Sequence, residues 1–283
     1  MRFAKYWAAG SADVVKEEHA PTPTTWQVRC YGASDRSVDE AKRRAAEIAQ
    51  RMARSISTGR IPNAYDYGDN PLREEVLEEF RHGSAAPFAV VTRNSYGSAV
   101  LNCSEALFAD IDYAAPSLVG GLKRLFLGRR AQRSGDDAVI DRVRSIAEES
   151  GIGVRLYRTA NGFRCLVTSR TYDPTSDEAR QLLERCGSDP LYMKLCKAQQ
   201  CFRARLTPKF WRCGATRPPG RIPFETPEDE TRYREWEGAY EQQAAEYSTC
   251  AFVGAFGSEA IDEAVQPVVD MHDRLACGDM SLA

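Results

Sequence analysis

The sequence predicts a mixed α/β fold of the α+β kind, built around a strand, helix, strand and hairpin partner between Ala106 and Ser169. Three observations predict it. Leu107-Phe108-Ala109-Asp110-Ile111-Asp112 is a short apolar run with the length of a buried strand. The stretch from Asp136 to Ser150 places Val139, Ile140, Val143, Ile146 and Ala147 on one helical face and stops at Gly151. Val154 to Thr159 and Phe163 to Ser169 then flank Ala160-Asn161-Gly162, in which Asn-Gly is a strong hairpin signal. In that order the elements form the skeleton of a ferredoxin-like unit.

The remaining elements follow in chain order. Phe3 to Ala8 and Trp26 to Tyr31 alternate as strands do and bracket a Pro/Thr-rich turn at Ala20 to Thr25. Ser37 and Glu40 make a capping box, and Ala41, Ala45, Ile48, Ala49, Met52 and Ile56 continue at helical spacing towards Gly59. Pro71 to Phe80 reads as a short helix. Phe88 to Thr92 and Ala99 to Cys103 read as strands joined by the Asn94 to Gly97 turn. After the central unit come a helix from Ser176 to Cys186, a further helix or turn, a strand around Cys201 to Leu206, and a proline-rich stretch from Pro208 to Pro227. Thr226, Pro227 and Asp229 start another helix, whose Tyr233, Trp236, Tyr240, Ala244 and Tyr247 are spaced to dock on the core rather than to stack bases. A last helix is expected from Ser258 to Leu275. The chain thus divides into an N-terminal αβ unit (1–104), a central unit (105–222) and a C-terminal helical segment packed on the core (223–283).

Composition limits the function. The 283 residues carry a formal charge of −2, which argues against coating nucleic acid through overall basicity, so such contact requires a local patch. The N-terminus lacks the apolar run of a signal peptide and no stretch has the length of a membrane span, which predicts a cytoplasmic protein with no membrane partner. Nine scattered cysteines read as reduced thiols, and three distant histidines, His19, His82 and His272, do not suit histidine-based catalysis.

Asp110 and Asp112 are two residues apart, so both carboxylates leave the strand on one face. Adjacent carboxylates repel unless a cation lies between them, and hard oxygen ligands suit Mg²⁺ or Mn²⁺. The competing reading is a strand-end pair that caps backbone amides or pairs with Arg155 or Arg164. Two acid-free basic stretches follow, the first directly after the pair and the second further along the chain. Tyr113 to Gly135 holds Lys123, Arg124, Arg129, Arg130 and Arg133. Lys194 to Phe224 holds Arg203, Arg205, Lys209 and further cations, with Phe202, Phe210 and Trp211 interleaved, a composition suited to backbone contact and stacking.

From Ala106 to Arg221 the chain resembles the archaeo-eukaryotic primase superfamily of primases and primase-polymerases, as a divergent member. Asp110-Ile111-Asp112 matches that family's first motif, an acid, a hydrophobic residue and an acid at a strand end. The hairpin from Arg158 to Arg164 stands where the family has Ser-x-His, with Arg164 in place of the histidine. Asp189 followed by Thr207-Pro208-Lys209 resembles the third motif, an acid and then a Pro-Lys turn. The resemblance implies an RRM-like palm in which Asp110, Asp112 and Asp189 are catalytic acids holding two Mg²⁺ or Mn²⁺ ions. It also implies that Thr159, Asn161, Arg164, Arg203, Arg205 and Lys209 bind nucleotide or nucleic acid. The expected partners are nucleoside triphosphates and single-stranded DNA or RNA, and the expected setting is DNA replication. Some members carry a zinc-binding insert, but Cys186, Cys196, Cys201 and Cys213 lack a close pair, so zinc is not expected.

Two rivals share these residues. A nucleotide cyclase also begins with a strand ending in Phe-Ala-Asp-Ile, but dinucleotide-forming cyclases carry acids on the following hairpin turn, where Ala160-Asn161-Gly162 has none. The other rival is a degenerate palm that binds nucleic acid or a partner protein without catalysis, to which the Arg164 departure lends support.

Overall fold

The structure, a computed structural model, describes residues 1–16, 24–59, 71–83, 85–113 and 135–283. Strands β1 (Tyr6–Lys16) and β2 (Thr24–Ser34) form an antiparallel hairpin, longer at each strand than the alternation predicts. Most of the Pro/Thr turn between them lies outside the described residues. Helix α1 (Val38–Ser57) lies directly on this hairpin, burying Ala41, Ala45, Ala49 and Ala53. The approach is close enough that a Cβ on Gly32 would fall 2.3 Å from the Ala41 carbonyl oxygen, so small residues on both sides are a condition of the contact. Ser37 caps α1 by accepting from the Glu40 amide, while the Glu40 carboxylate turns to the Ser34 hydroxyl.

Residues Glu75–Phe80, expected as helix, are strand β3. The Glu-rich run suits a helix locally, but its place in the fold is set by pairing with β4 (Ala89–Arg93) across a bulge between Val76 and Glu78. Strand β5 (Ala99–Cys103) returns antiparallel to β4 through the expected turn, in which Asn94 Oδ1 accepts from the amides of Tyr96 and Ser98. Gly97 has φ +79°, and a Cβ there would meet Trp236 at 2.0 Å, so the position admits only glycine.

The central unit begins with β6 (Phe108–Asp112) and continues, after residues outside the description, with α2 (135–150), β7 (Gly153–Thr159) and β8 (Gly162–Val167). Strand β8 lies antiparallel between β6 and β7, which is the split β-α-β arrangement. Helix α3 (Asp177–Cys186) ends at Gly187 in the left-handed region, α4 (Pro190–Gln199) follows directly, and β9 (Phe202–Arg205) pairs with β5 rather than with the central strands.

After a short 3₁₀ turn at Phe210–Arg212, α5 (Pro227–Ala244) docks Tyr233, Trp236, Tyr240 and Ala244 on Cys213 and its neighbours, as the spacing predicted. The C-terminal segment is not wholly helical, as the sequence reading had it. Cys250–Gly257 forms strand β10, which pairs with β7, and only Gln266–Ala276 forms α6. The bulge between Phe252 and Gly254 breaks the period of two that would have marked a strand.

The protein therefore has mixed α/β structure in which two antiparallel four-stranded sheets, β10-β7-β8-β6 and β3-β4-β5-β9, share one core. Among the described residues no helix is long and apolar enough to cross a membrane.

Candidate functional site

Strand β6 is the edge of its sheet, and its alternation fixes which groups point where. Asp110 stands opposite Arg164 and Asp112 opposite Gly162, and Tyr157 of β7 continues the row beyond Arg164. The other face of the sheet carries Cys165, hydrogen-bonded to Cys186 of α3, and Arg158, paired with Asp136 of α2 at 2.7 Å. Helices α2 and α3 therefore cover one face. Asp110 and Asp112 lie on the opposite face with α6.

On that face the two acids differ. Asp110 is one-third exposed, and one oxygen lies 3.5 Å from Arg164 Nε. Asp112 is exposed and accepts from Asn161 Nδ2 at 3.2 Å. Thr159 stands at the end of β7 and takes the Asn161 amide at 3.4 Å, so the hairpin turn holds Asn161 against Asp112. The hairpin residues Thr159 and Asn161 are thus brought to Asp112, at the end of the strand that carries both acids.

Arg164 is buried. Its Nη1 donates to the Arg205 carbonyl oxygen at 2.9 Å and approaches Cys250 Sγ and His272 Nε2, each at 3.3 Å. The expectation that Arg164 stands in for a phosphate-binding histidine does not fit this geometry, because the side chain is buried, with Nη1 directed into the protein and Nε towards Asp110. Since Arg164 donates to Nε2, the neutral His272 ring carries its proton on Nδ1, which faces Asp273 Oδ1 at 3.4 Å. Burial pushes the His272 pKa down to about 4 against the pull of Asp273. Asp273 in turn accepts from Tyr157 at 2.7 Å and Arg155 at 2.5 Å.

Asp189 is placed beside the acid pair by its main chain. Its amide donates to the Asp110 carbonyl oxygen at 3.1 Å, while its carboxylate accepts from the Tyr192 amide at 2.8 Å as the N-cap of α4. Among the described residues, the group of three or more His, Cys, Asp or Glu side chains close enough to share an ion is His272, Asp273 and Cys277, not Asp110, Asp112 and Asp189. The expected third ligand is thus engaged as a cap. The His272 group is itself satisfied by Arg164, Tyr157 and Arg155.

The basic strand divides. Arg203 is buried, and its Nη2 donates to both oxygens of Glu74, at 2.7 and 2.8 Å, while Glu74 also accepts from Thr92 at 2.6 Å. It is therefore withdrawn from the surface, contrary to the expectation of a phosphate ligand there. Arg205, two residues on, has its buried Nε without a hydrogen-bond partner. Burial lowers its pKa, Asp110 and Asp112 act to raise it, and Arg164 and Arg212 act to lower it. Lys209 is likewise lowered by burial and by Arg205 and Arg212, against Asp112 and Asp110. Among the described residues no carboxylate comes within ion-pair distance of Arg205, Lys209 or Arg212.

Tyr192 joins these two walls. Its hydroxyl donates to the Phe108 carbonyl oxygen of β6 at 2.8 Å and accepts from the Arg203 amide of β9 at 3.2 Å, so one side chain spans the seam between the sheets. The basic loop expected to face phosphates, Tyr113 to Gly135, lies almost wholly outside the described residues. Sequence reasoning placed Arg212 only in the basic stretch, set His272 aside with the other histidines, and passed over Asp273 and Tyr192. Arg212 was legible as the end of Lys209-Phe210-Trp211-Arg212, but the others bear on the site only through tertiary contact.

A scan against protein-family models, a search of curated proteins and a search of solved structures each returned no match.

Proposed function

We propose that the chain is a divalent-metal-dependent nucleotidyltransferase of primase or primase-polymerase type, acting on nucleoside triphosphates and single-stranded nucleic acid from an RRM-like palm. The observation that carries this reading is the electrostatic proximity of Asp110 and Asp112, at the end of β6, to Arg205 at the end of β9 and to Lys209 in the segment after it, which Arg212 adjoins. Two carboxylates on one face, one of them exposed, suit a hard cation, and uncompensated cations beside them suit phosphate oxygens. Asp110 and Asp112 would hold Mg²⁺ or Mn²⁺, which supplies hydroxyl activation and charge neutralisation at the transferred phosphate. Arg205, Lys209 and Arg212 orient the triphosphate, and Asn161 fixes the Asp112 carboxylate. Asp189 acts through its main-chain bond to β6.

Purified protein incubated with labelled nucleoside triphosphates and Mn²⁺ or Mg²⁺, with and without single-stranded template, should give polymer that Asp112→Asn does not make. No product under any of these conditions would sink the enzymatic reading. A second reading, a palm that binds nucleic acid without catalysis, is favoured by the pairing of Asp110 with the buried Arg164 and by the use of Asp189 as a cap. Under that reading oligonucleotide binding persists unchanged when Asp112 is replaced and when divalent ions are chelated.

A further inference from the structure

Beside Lys209 the surface opens into a cleft of about 540 Å³ between the β4–β5 turn and the proline-rich segment, lined by Tyr96, Phe210, Trp211, Arg217 and Arg221 among others. Two of its aromatic residues are unusually open to solvent, Trp211 at 51% and Tyr96 at 44%. Their rings meet edge to face at 5.3 Å, and Phe210 supports Trp211 in the same way at 4.8 Å. Lys209 Nζ lies 5.2 Å from the centre of the Trp211 ring and 5.8 Å from that of Tyr96, so the cation joins the cleft to the acid pair. Arg217 and Arg221 are exposed, and among the described residues neither has a carboxylate within ion-pair distance.

The walls are fixed before any ligand arrives. Asn94 locks the turn that presents Tyr96, and the Trp236 ring lies against Gly97 beneath it. Trp236 Nε1 also donates to the Thr216 carbonyl oxygen at 2.9 Å, tying down the far wall. The Pro208 carbonyl oxygen accepts from Ser98 at 2.8 Å and Tyr240 at 2.7 Å, which fastens the segment leading to Trp211 against the same turn. Exposed aromatic rings on a rigid support reduce the ordering cost of binding.

We propose that this cleft is a binding subsite for single-stranded nucleic acid, with bases stacking on Tyr96 and Trp211 and phosphates meeting Lys209, Arg217 and Arg221. The ligand must offer flat, apolar rings and repeated negative charge together. An unpaired polynucleotide does both, whereas an acidic peptide supplies only charge. The proposal deepens the nucleotidyltransferase reading and rests on it only for what the strand is delivered to. The cleft would lead a strand past Lys209 towards Asp112.

The test is fluorescence anisotropy of a labelled oligo-dT of about 12 nucleotides, within the usual span of such sites. It is run without divalent ions at several salt concentrations, with a calorimetric Mn²⁺ titration of the same proteins alongside. Trp211→Ala is expected to weaken binding roughly tenfold or more, and Trp211→Phe by less, since stacking is lost in the first and reduced in the second. The pair Arg217→Glu and Arg221→Glu should weaken binding further and flatten the salt dependence, with Mn²⁺ binding unchanged in every variant. Wild-type affinity in Trp211→Ala and in the charge-reversed protein would overturn the cleft, as would displacement of the oligonucleotide by polyglutamate at equal charge. Loss of oligonucleotide binding in these variants in a protein that shows no Mn²⁺ binding at all would keep the cleft and remove the metal site instead.

Discussion

The two ends of strand β9 make opposite use of arginine. At the inner end Arg203 has a carboxylate partner: its Nη2 donates to both oxygens of Glu74, which also takes the Thr92 hydroxyl, while Asn102 donates to Thr92 in turn and Arg203 Nη1 stays buried without a hydrogen-bond partner. At the outer end Arg205 is partly buried beside Asp110 and Asp112, but no carboxylate closes on it, and Lys209 and Arg212 crowd the same space. The first arrangement is what a fold requires of a buried charge. The second leaves charge uncompensated, as a ligand site does. Two arginines with the same strand, spacing and facing direction differ because a glutamate from β3's entry reaches one and not the other.

The sharpest way to break that contrast is to remove the partner at the paired end. Glu74→Ala strands the buried Arg203 charge and should cost about 3–5 kcal/mol of stability, measured by urea denaturation, whereas replacing both with apolar residues should restore most of it. A cost under about 1 kcal/mol would mean that Glu74 does not compensate the buried Arg203 charge.

The next effect concerns the polar relay behind Arg164. The folded-state pKa of His272 is about 4, below the ordinary value of 6.5, so between those values the unfolded chain binds more protons than the folded one. Stability should therefore be fully present above about pH 6.5 and fall by about 3 kcal/mol as pH drops towards 4. His272→Gln, uncharged throughout, should flatten that slope, and an unaltered slope would place the titration elsewhere.

At the open end the signs reverse. Arg205→Met should leave stability within about 1 kcal/mol of wild type, because an uncompensated, desolvated cation contributes little to the fold. Triphosphate affinity, read by competition with a fluorescent nucleotide, should fall about tenfold. A strongly destabilised Arg205→Met would make the two ends of β9 alike. The smallest stability change is expected for Asp112→Asn, within about 0.5 kcal/mol, since the side chain is exposed and loses a like-charged neighbour. The same variant should show no heat of Mn²⁺ binding, and normal binding would remove Asp112 from the site.

Much of the architecture was legible in the sequence because local signals agreed with the tertiary outcome. Asn161-Gly162 fixed a hairpin, the Ser37 cap and the alanine face fixed α1, and the aromatic spacing of α5 matched a docked face. Two strands were not. The run Glu75–Phe80 has helix-forming residues whose strand state depends on β4 and on Arg234, which holds Glu75 from α5 at 2.5 Å. Strand β10 hides its alternation behind a bulge. At the site, the period of two placed Asp110 and Asp112 together, and the hairpin placed Asn161 beside them. Periodicity could not say that Arg203 meets Glu74, 129 residues away in sequence, or that Arg164 turns inward to His272. The same period-two argument that succeeded for the acids failed for the arginines, because facing direction does not disclose what stands opposite.

The strand that carries the acids is an outer strand, and such strands ordinarily offer a ladder on which a second chain can polymerise. Here two carbonyl oxygens along that margin are already taken: Phe108 by the Tyr192 phenol at 2.8 Å, and Asp110 by the Asp189 amide at 3.1 Å and the Ser188 hydroxyl at 3.2 Å. The turn between α3 and α4 thus acts as a hem stitched along the sheet. It covers the inner part of that margin, and the charged end at Asp112 is the part left open.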